Sequence, residues 1–233
     1  MPAYTLDTSD TVTAPDGATL YRIRYADGTP GGYLQSTTNL DPASDARVFG
    51  DARVFGDARV SGNAQVYGDA QVSGNAQVCG NAQVSGDAQV SGDAQVSGGA
   101  QVSGDAQVFG DARVYGNARV YGNAQVYGNA QVYGNAQVSG DAQVSGDAQV
   151  SGDARVSEPP HCLTIGPLGS RAAILTVCRD STLGISYATG CFFGSRDAFL
   201  AAVEATHGNS HIGNAYAAAV MLADHIVPPY TQE

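Results

Sequence analysis

The stretch that decides the fold is residues 86–108, GDAQVSGDAQVSGGAQVSGDAQV, in which nearly the same six residues recur. Outward from this stretch, the six-residue period continues without an insertion from residue 45 to residue 156. Val stands at every sixth position from 48 to 156, Ala at every sixth from 46 to 154, and Gly at every sixth from 50 to 152. Asp or Asn precedes each Ala, with Gly99 as the one exception, and Gln or Arg follows it.

This hexad has the physical chemistry of a short strand followed by a corner. Val is β-branched and prefers an extended backbone, and Ala two residues earlier lies on the same side of a strand because side chains alternate. Gly followed by Asp or Asn tolerates the backbone angles of a tight turn. The pattern therefore predicts a coil that turns repeatedly and stacks on itself, with Val and Ala pointing inward.

A helix and a disordered tract are the alternatives for the repeat. A Gly every six residues is costly in a helix, and apolar spacings of two and then four fit no helical stripe. The unbroken Val and Ala pattern argues against disorder, because low-complexity tracts keep no such register. The stacked coil remains the prediction.

The units GDARVF, GNAQVY and GDAQVS resemble the hexapeptide-repeat family, in which three hexads form one triangular coil of a left-handed parallel β-helix. The resemblance covers residues 45–156 and implies a mainly β fold of 19 hexads in about six coils. It also implies a homotrimer, the common assembly of that family. The lead-in LYRIRYADGTPGGYLQSTTNL (20–40) resembles that of hexapeptide proteins of phages and prophages, which implies a capping segment over residues 1–44.

Composition excludes several classes of function. The 11 basic residues are all Arg and face 22 acidic residues, so the net charge of −11 argues against binding a nucleic-acid polymer. No stretch reaches the roughly 18 apolar residues of a membrane span, and the N-terminus has no signal-peptide pattern. The four cysteines form no CxxC pair and predict no disulfide framework, so we expect a cytoplasmic protein without a membrane partner.

The residue after Val carries the strongest variation within the repeat. Five successive hexads have an aromatic residue there, and with three hexads per coil these side chains form a belt around the outside: Phe109, Tyr115, Tyr121, Tyr127 and Tyr133. Tyrosine is favoured where proteins meet, so the belt predicts an interface between subunits. A platform on which a base or a sugar stacks is the alternative.

Acyl transfer is common among hexapeptide proteins, so it is one alternative for function. The enzymes of that family use a catalytic His and a loop that leaves the coil. Residues 45–156 contain no His, no Lys and no insertion, which argues against acyl transfer in this repeat.

After Ser157 the sequence EPP ends the period, and residues 158–233 predict a small α+β domain. All four histidines and three of the four cysteines lie in this domain, so chemistry is expected there rather than in the repeat. The predicted strands are CLTI (162–165), AAILTVCR (172–179) and TLGISYAT (182–189). The predicted helices are SRDAFLAAVEATHG (195–208) and SHIGNAYAAAVMLADHI (210–226).

Two segments of this domain, TIGPLGSR (164–171) and TGCFFGSRDAF (189–199), suit a small anion. Glycine-rich turns expose backbone N–H groups, and a helix N-terminus favours negative charge. The predicted ligand-binding residues are Gly169, Ser170, Arg171, Arg179, Ser195 and Arg196. The alternative is that these segments only form turns and helix caps.

A thiol enzyme is the second chemical alternative. Cys191 is the candidate nucleophile, His207 the base and Glu204 the group that orients the histidine. The cysteines and histidines show no ligand-pair spacing for zinc, so no metal and no cofactor are predicted.

Together these observations predict a non-enzymatic, trimeric β-helix scaffold whose C-terminal domains bind a small anionic ligand. A nucleotide is one such ligand, and the phage-type resemblance implies a sponge that sequesters a nucleotide signal of host defence. A purely structural module that binds another protein is the first alternative. An enzyme, either an acyltransferase or a Cys-dependent one, is the second.

Overall fold

A computed structural model describes residues 4–169 and 171–231. The chain begins with three strands and a short 3-10 helix, continues through 19 two-residue strands, β4 to β22, and ends in a small α+β domain. The first elements are β1 (Tyr4–Thr13), β2 (Thr19–Tyr25), β3 (Pro30–Leu34) and the 3-10 helix Thr37–Asn39. The last are the 3-10 helix Pro159–His161, β23 (Cys162–Leu168), β24 (Ala173–Asp180), β25 (Gly184–Thr189), β26 (Phe192–Ser195), α1 (Arg196–His207) and α2 (His211–Ile226).

The 19 short strands form a β-solenoid with three faces. Each strand pairs in parallel with the strand 18 residues later, so three hexads make one turn. Face 1 holds β4, β7, β10, β13, β16, β19 and β22: Arg47–Val48, Gln65–Val66, Gln83–Val84, Gln101–Val102, Arg119–Val120, Gln137–Val138 and Arg155–Val156. Face 2 holds β5, β8, β11, β14, β17 and β20: Arg53–Val54, Gln71–Val72, Gln89–Val90, Gln107–Val108, Gln125–Val126 and Gln143–Val144. Face 3 holds β6, β9, β12, β15, β18 and β21: Arg59–Val60, Gln77–Val78, Gln95–Val96, Arg113–Val114, Gln131–Val132 and Gln149–Val150.

The interior of the solenoid consists of the Val and Ala of every hexad, all of them buried. Val stacks on Val and Ala on Ala from turn to turn, because the strands pair in register. Each buried Val contributes about 1.5–3 kcal/mol relative to an exposed one. The predicted mainly β, coiled architecture is thereby confirmed.

The glycine of the hexad is needed for two reasons, which Gly86 illustrates. Its φ is +68°, a left-handed conformation that costs other L-residues energy. In addition, a Cβ on Gly86 would lie 3.0 Å from the backbone nitrogen of Gly104 in the next turn. At this position the backbones of successive turns approach so closely that a Cβ would crowd the next turn.

Side chains at the corners tie successive turns together. Asn123 donates from Nδ2 to Oδ1 of Asp141 at 2.9 Å, and Asn129 makes the same bond to Asp147 at 2.9 Å. These bonds join residues 18 apart, so each spans one turn of the coil. Gly99 has no side chain to take part in such a ladder.

The coil already begins within the lead-in. Leu34 pairs in parallel with Val54 on face 2, and Leu40 bridges to Val60 on face 3. The buried side chain of Asn39 donates to the carbonyls of Gly56 and Ala58, both at 2.9 Å. With these residues the solenoid makes about seven turns.

The C-terminal domain consists of an antiparallel sheet between the solenoid and two helices. The sheet order is β23-β24-β25-β26, and the fourth strand, β26, is one that the sequence analysis does not predict. On one face, Thr176 Oγ1 accepts a hydrogen bond at 2.9 Å from the backbone of Gln149 in the last turns of the solenoid. On the other face, Tyr187 packs with residues of α1 and α2 in a second core.

One expectation about the cysteines is wrong. Cys162 and Cys178 form a disulfide across β23 and β24. The antiparallel register places the two residues opposite each other, and their separation of 16 positions shows no motif that would reveal this pairing. Disulfides persist mainly in oxidising compartments, so the cysteines give no support to the cytoplasmic expectation.

Candidate functional site

The C-terminal domain contains a cavity of about 390 Å³, here called the domain cavity. Its walls come from the β23–β24 turn, the β25–β26 turn, α1 and α2. The polar and small residues that line it are Gly169, Arg171, Thr189, Gly190, Cys191, Thr206 and His207. The apolar and aromatic ones are Ala173, Phe192, Phe199, Ala202, Val203 and Tyr216.

Two turns position the polar groups of this cavity. Gly169 has a φ of +68°, and a Cβ there would lie 2.9 Å from the hydroxyl of Tyr216, so the glycine lets α2 pack against the turn that carries Arg171. Gly190 has a φ of +55° and precedes Cys191 in the second turn. Both turns depend on glycine for their shape.

The floor of the cavity is aromatic. Phe199 lies at the centre, with its ring 5.3 Å from that of Phe192 and 5.7 Å from that of Tyr216. The His207 ring stacks on Tyr216 at 5.8 Å. Aromatic side chains packed edge to face hold one another in place, so this floor offers a ligand a rigid apolar surface.

The polar groups of the cavity have unused bonding capacity. Within residues 4–169 and 171–231, Arg171 has no carboxylate within 4 Å, and the buried Oγ1 of Thr189 has no hydrogen-bond partner. Cys191 is exposed and is not part of a disulfide. An apolar body with an anionic group is the kind of molecule that this arrangement accommodates.

The structure does not bring all predicted ligand-binding residues together. Gly169 and Arg171 line the domain cavity, whereas Ser170 lies outside the described residues. Ser195 caps α1 by accepting a bond from the backbone of Ala198 at 3.4 Å.

Arg196 joins the two helices and lines neither cavity. Its Nε lies 3.0 Å from Oδ1 and its Nη2 2.8 Å from Oδ2 of Asp224, so α1 and α2 are joined by a bidentate pair. The hydrogen bond from Arg196 holds the pKa of Asp224 below its usual range, and the hydroxyl of Tyr187 donates to Asp224 as well. These bonds account for Arg196 without a ligand.

Arg179 lies in a different place, a cavity of about 360 Å³ between face 1 of the solenoid and the C-terminal domain. This junction cavity is also lined by Tyr121, Arg155, Ser157, Glu158, His161 and Tyr230. The sequence does not predict Arg155, His161 or Tyr230 as site residues. An arginine at a hexad position that Gln usually occupies is the one local signal that marks Arg155.

The candidate thiol residues are only partly brought together. Cys191 and His207 line the domain cavity, while Glu204 is exposed and lies outside its lining. Within the described part of the chain, no three His, Cys, Asp or Glu side chains are grouped so that they could hold a metal ion.

The aromatic belt stacks along the faces of the solenoid. Phe109 lies on Tyr127, and Tyr115 on Tyr133, both with ring centroids 5.0 Å apart and nearly parallel. Tyr121 is on face 1 and is 39% exposed. The role of the belt as a subunit interface stays a prediction.

Comparison with known proteins supports the repeat. The family model described as YdcK Beta solenoid repeat matches ten segments, most of which overlap: 46–62, 58–74, 64–80, 76–92, 82–98, 88–104, 106–122, 112–128, 124–140 and 130–146. No curated protein matches the chain. None of the helices in the described ranges is both long and apolar enough to cross a membrane. The matched repeats and the observed coil together show that this chain is a β-solenoid repeat protein.

Proposed function

We propose that the protein is a rigid, trimeric solenoid stem whose C-terminal domains bind a small organic anion with an aromatic body. A nucleotide is one molecule of this class. The observation that carries the proposal is the domain cavity, in which an aromatic floor and the guanidinium of Arg171 line one space.

Each half of the cavity recognises one half of such a ligand. Aromatic side chains favour planar apolar groups, and Phe192, Phe199 and Tyr216 line the floor. Arginine binds phosphate and carboxylate groups through paired hydrogen bonds, which Arg171 is free to form with a ligand at the mouth.

In this proposal the solenoid is a rigid stem that holds the C-terminal domains at fixed positions. Its resemblance to hexapeptide proteins supports three copies side by side, with the belt of Phe109, Tyr115, Tyr121, Tyr127 and Tyr133 between them.

The lead-in resembles that of phage proteins, which supports one use of the protein: the sequestration of a nucleotide signal of host defence. The lead-in itself would cap the open end of the coil, where unpaired backbone groups need cover.

The test uses 1-anilinonaphthalene-8-sulfonate, a fluorescent probe with an aromatic body and one negative charge. We expect the wild type to bind it with a stoichiometry of one per chain, and Arg171→Ala to weaken binding about tenfold, the effect of one charge-assisted bond. Ala202→Phe fills the cavity and should abolish binding, whereas Ala201→Phe, at the exposed neighbouring position, should not. Equal binding by all four proteins would reject the domain cavity as the site.

A thiol enzyme is the second candidate function, because Cys191 and His207 line the same cavity. If His207 activates the thiol, His207→Asn should slow alkylation of Cys191 by iodoacetamide at pH 7 several-fold, since only the thiolate reacts. An unchanged rate would leave binding as the function of the cavity.

A further inference from the structure

The junction cavity differs in character from the domain cavity. Its walls come from two units, with Tyr121 and Arg155 from face 1 of the solenoid and His161, Arg179 and Tyr230 from the C-terminal domain. The lining is mainly polar, and it brings together two arginines from a chain whose net charge is −11.

Arg155 is fixed to the last turn of the solenoid. Its Nη1 donates to the backbone carbonyls of Asn135 at 3.2 Å, Asp153 at 2.9 Å and Ala154 at 3.0 Å. Carbonyl oxygens hold the guanidinium in place but do not neutralise its charge. Its Nε and Nη2 make no hydrogen bond with the described residues, so they remain available to a ligand.

His161 fixes Arg179 in a similar way. The His161 ring is buried, 6% exposed, and its Nε2 lies 3.0 Å from Nη1 of Arg179. On the other side of the ring, Nδ1 lies 3.0 Å from the hydroxyl and 3.3 Å from the backbone nitrogen of Ser157, so the imidazole is held between Ser157 and Arg179. The guanidinium of Arg179 also lies over the ring of Tyr230, 5.0 Å from its centroid.

The two arginines of the junction cavity have no ion-pair partner among the described residues. Among the described residues, neither Arg155 nor Arg179 has a carboxylate oxygen within 4 Å, and the buried Nε of Arg179 has no hydrogen-bond partner. Glu158, which also lines the cavity, is exposed to solvent. Half-buried guanidinium groups held in fixed positions without a counter-charge form a prepared site for an anion.

We propose that the junction cavity is a second binding site, for a small phosphate-type oxyanion held between Arg155 and Arg179. This site is independent of the proposed ligand of the domain cavity. Because one arginine belongs to the solenoid and the other to the domain, the bound oxyanion joins the two units and resists their separation.

The test is isothermal titration calorimetry of the full chain with inorganic phosphate and with pyrophosphate at low ionic strength. We expect Arg155→Gln and Arg179→Gln each to weaken binding about tenfold, the effect of one charge-assisted pair. Arg155→Gln restores the residue that most hexads carry, so the solenoid should tolerate it. Arg113→Gln on face 3 is the matched control, since it removes the same charge from an exposed strand position away from the cavity.

Three further variants separate this site from the domain cavity. Arg171→Ala, Ala202→Phe and Ala201→Phe should leave phosphate binding unchanged, whatever they do to binding of the fluorescent sulfonate. No heat of binding with either anion at millimolar concentration, or equal affinity in the wild type, Arg155→Gln, Arg179→Gln and Arg113→Gln, would overturn the proposal.

Discussion

The solenoid and the C-terminal domain obtain their stability in different ways. In the solenoid, the paired strands of successive turns place residues 18 apart opposite each other, and these residues are identical or nearly so, as in the pairing of Val84 with Val102. In the domain, contacts such as that of Arg196 with Asp224 join unlike residues from different elements. A repeated contact produces a regular surface with few distinctive groups, whereas unlike contacts enclose the domain cavity. The difference explains why candidate chemistry lies at the C-terminal end.

The largest expected effect concerns the interior of the solenoid. Val102→Asp places an unpaired charge where the side chain is 0% exposed, which should cost about 3–5 kcal/mol or more and prevent the central turns from stacking. Cys191→Asp introduces the same side chain at an exposed turn of the domain and should leave the fold intact. Circular dichroism melts of both variants measure the contrast, and similar melting temperatures would contradict it.

The next effect compares two glycines with similar backbone angles. Gly86 and Gly190 have φ values of +68° and +55°, but a Cβ on Gly86 would meet the next turn at 3.0 Å while one on Gly190 meets nothing within 4 Å. Gly190→Ala should therefore cost only the conformational term of about 1–2 kcal/mol. Gly86→Ala should lower the free energy of unfolding by clearly more, because its Cβ also meets the next turn. Chemical denaturation of both variants gives the difference, and equal losses would show that close approach of the turns is unimportant.

The fold of the repeat can be predicted from the sequence, whereas that of the lead-in cannot. In the repeat, the period itself determines which residues are inward and which form corners, because each turn meets a copy of itself. The sequence does not predict the pairing of Leu34 with Val54, because the lead-in lacks the hexad pattern.

In the domain, the period offers no guide. Cys162 faces Cys178 only because β23 and β24 pair in a particular register, and Arg155 meets the junction cavity only because β24 packs on the last turns. The sequence predicts chemistry in this unit and groups Arg171, Arg179 and Arg196, which the structure places in three different settings. Tertiary packing decides those settings, and no local pattern encodes it.

The smallest expected effect is a change of folding stability with pH. It arises from His161, which lies where the solenoid meets the C-terminal domain. Burial lowers the pKa of His161 below its usual 6.5, and the positive charge of Arg179 lowers it further. The unfolded chain therefore takes up a proton at a higher pH than the folded one, so stability is full above about pH 6.5 and is lost as the pH falls below it. The melting temperature should drop by a few degrees between pH 7 and pH 5.

His161→Gln removes the titrating ring and should flatten this profile. His211→Gln, at the exposed start of α2, is the control and should keep the slope of the wild type. Asp224, whose pKa is also lowered, loses its contribution only at more acidic pH, because its usual value is 3.8. A slope that survives in His161→Gln would assign the pH dependence to another group.

The central claim is that a solenoid stem assembles three copies and presents domains that hold a small anion. Native mass spectrometry of the freshly purified protein, before and after gentle denaturation, tests both parts in one measurement. The account predicts a trimer that carries additional mass and releases it as a small anionic molecule. A monomer without releasable mass would contradict it.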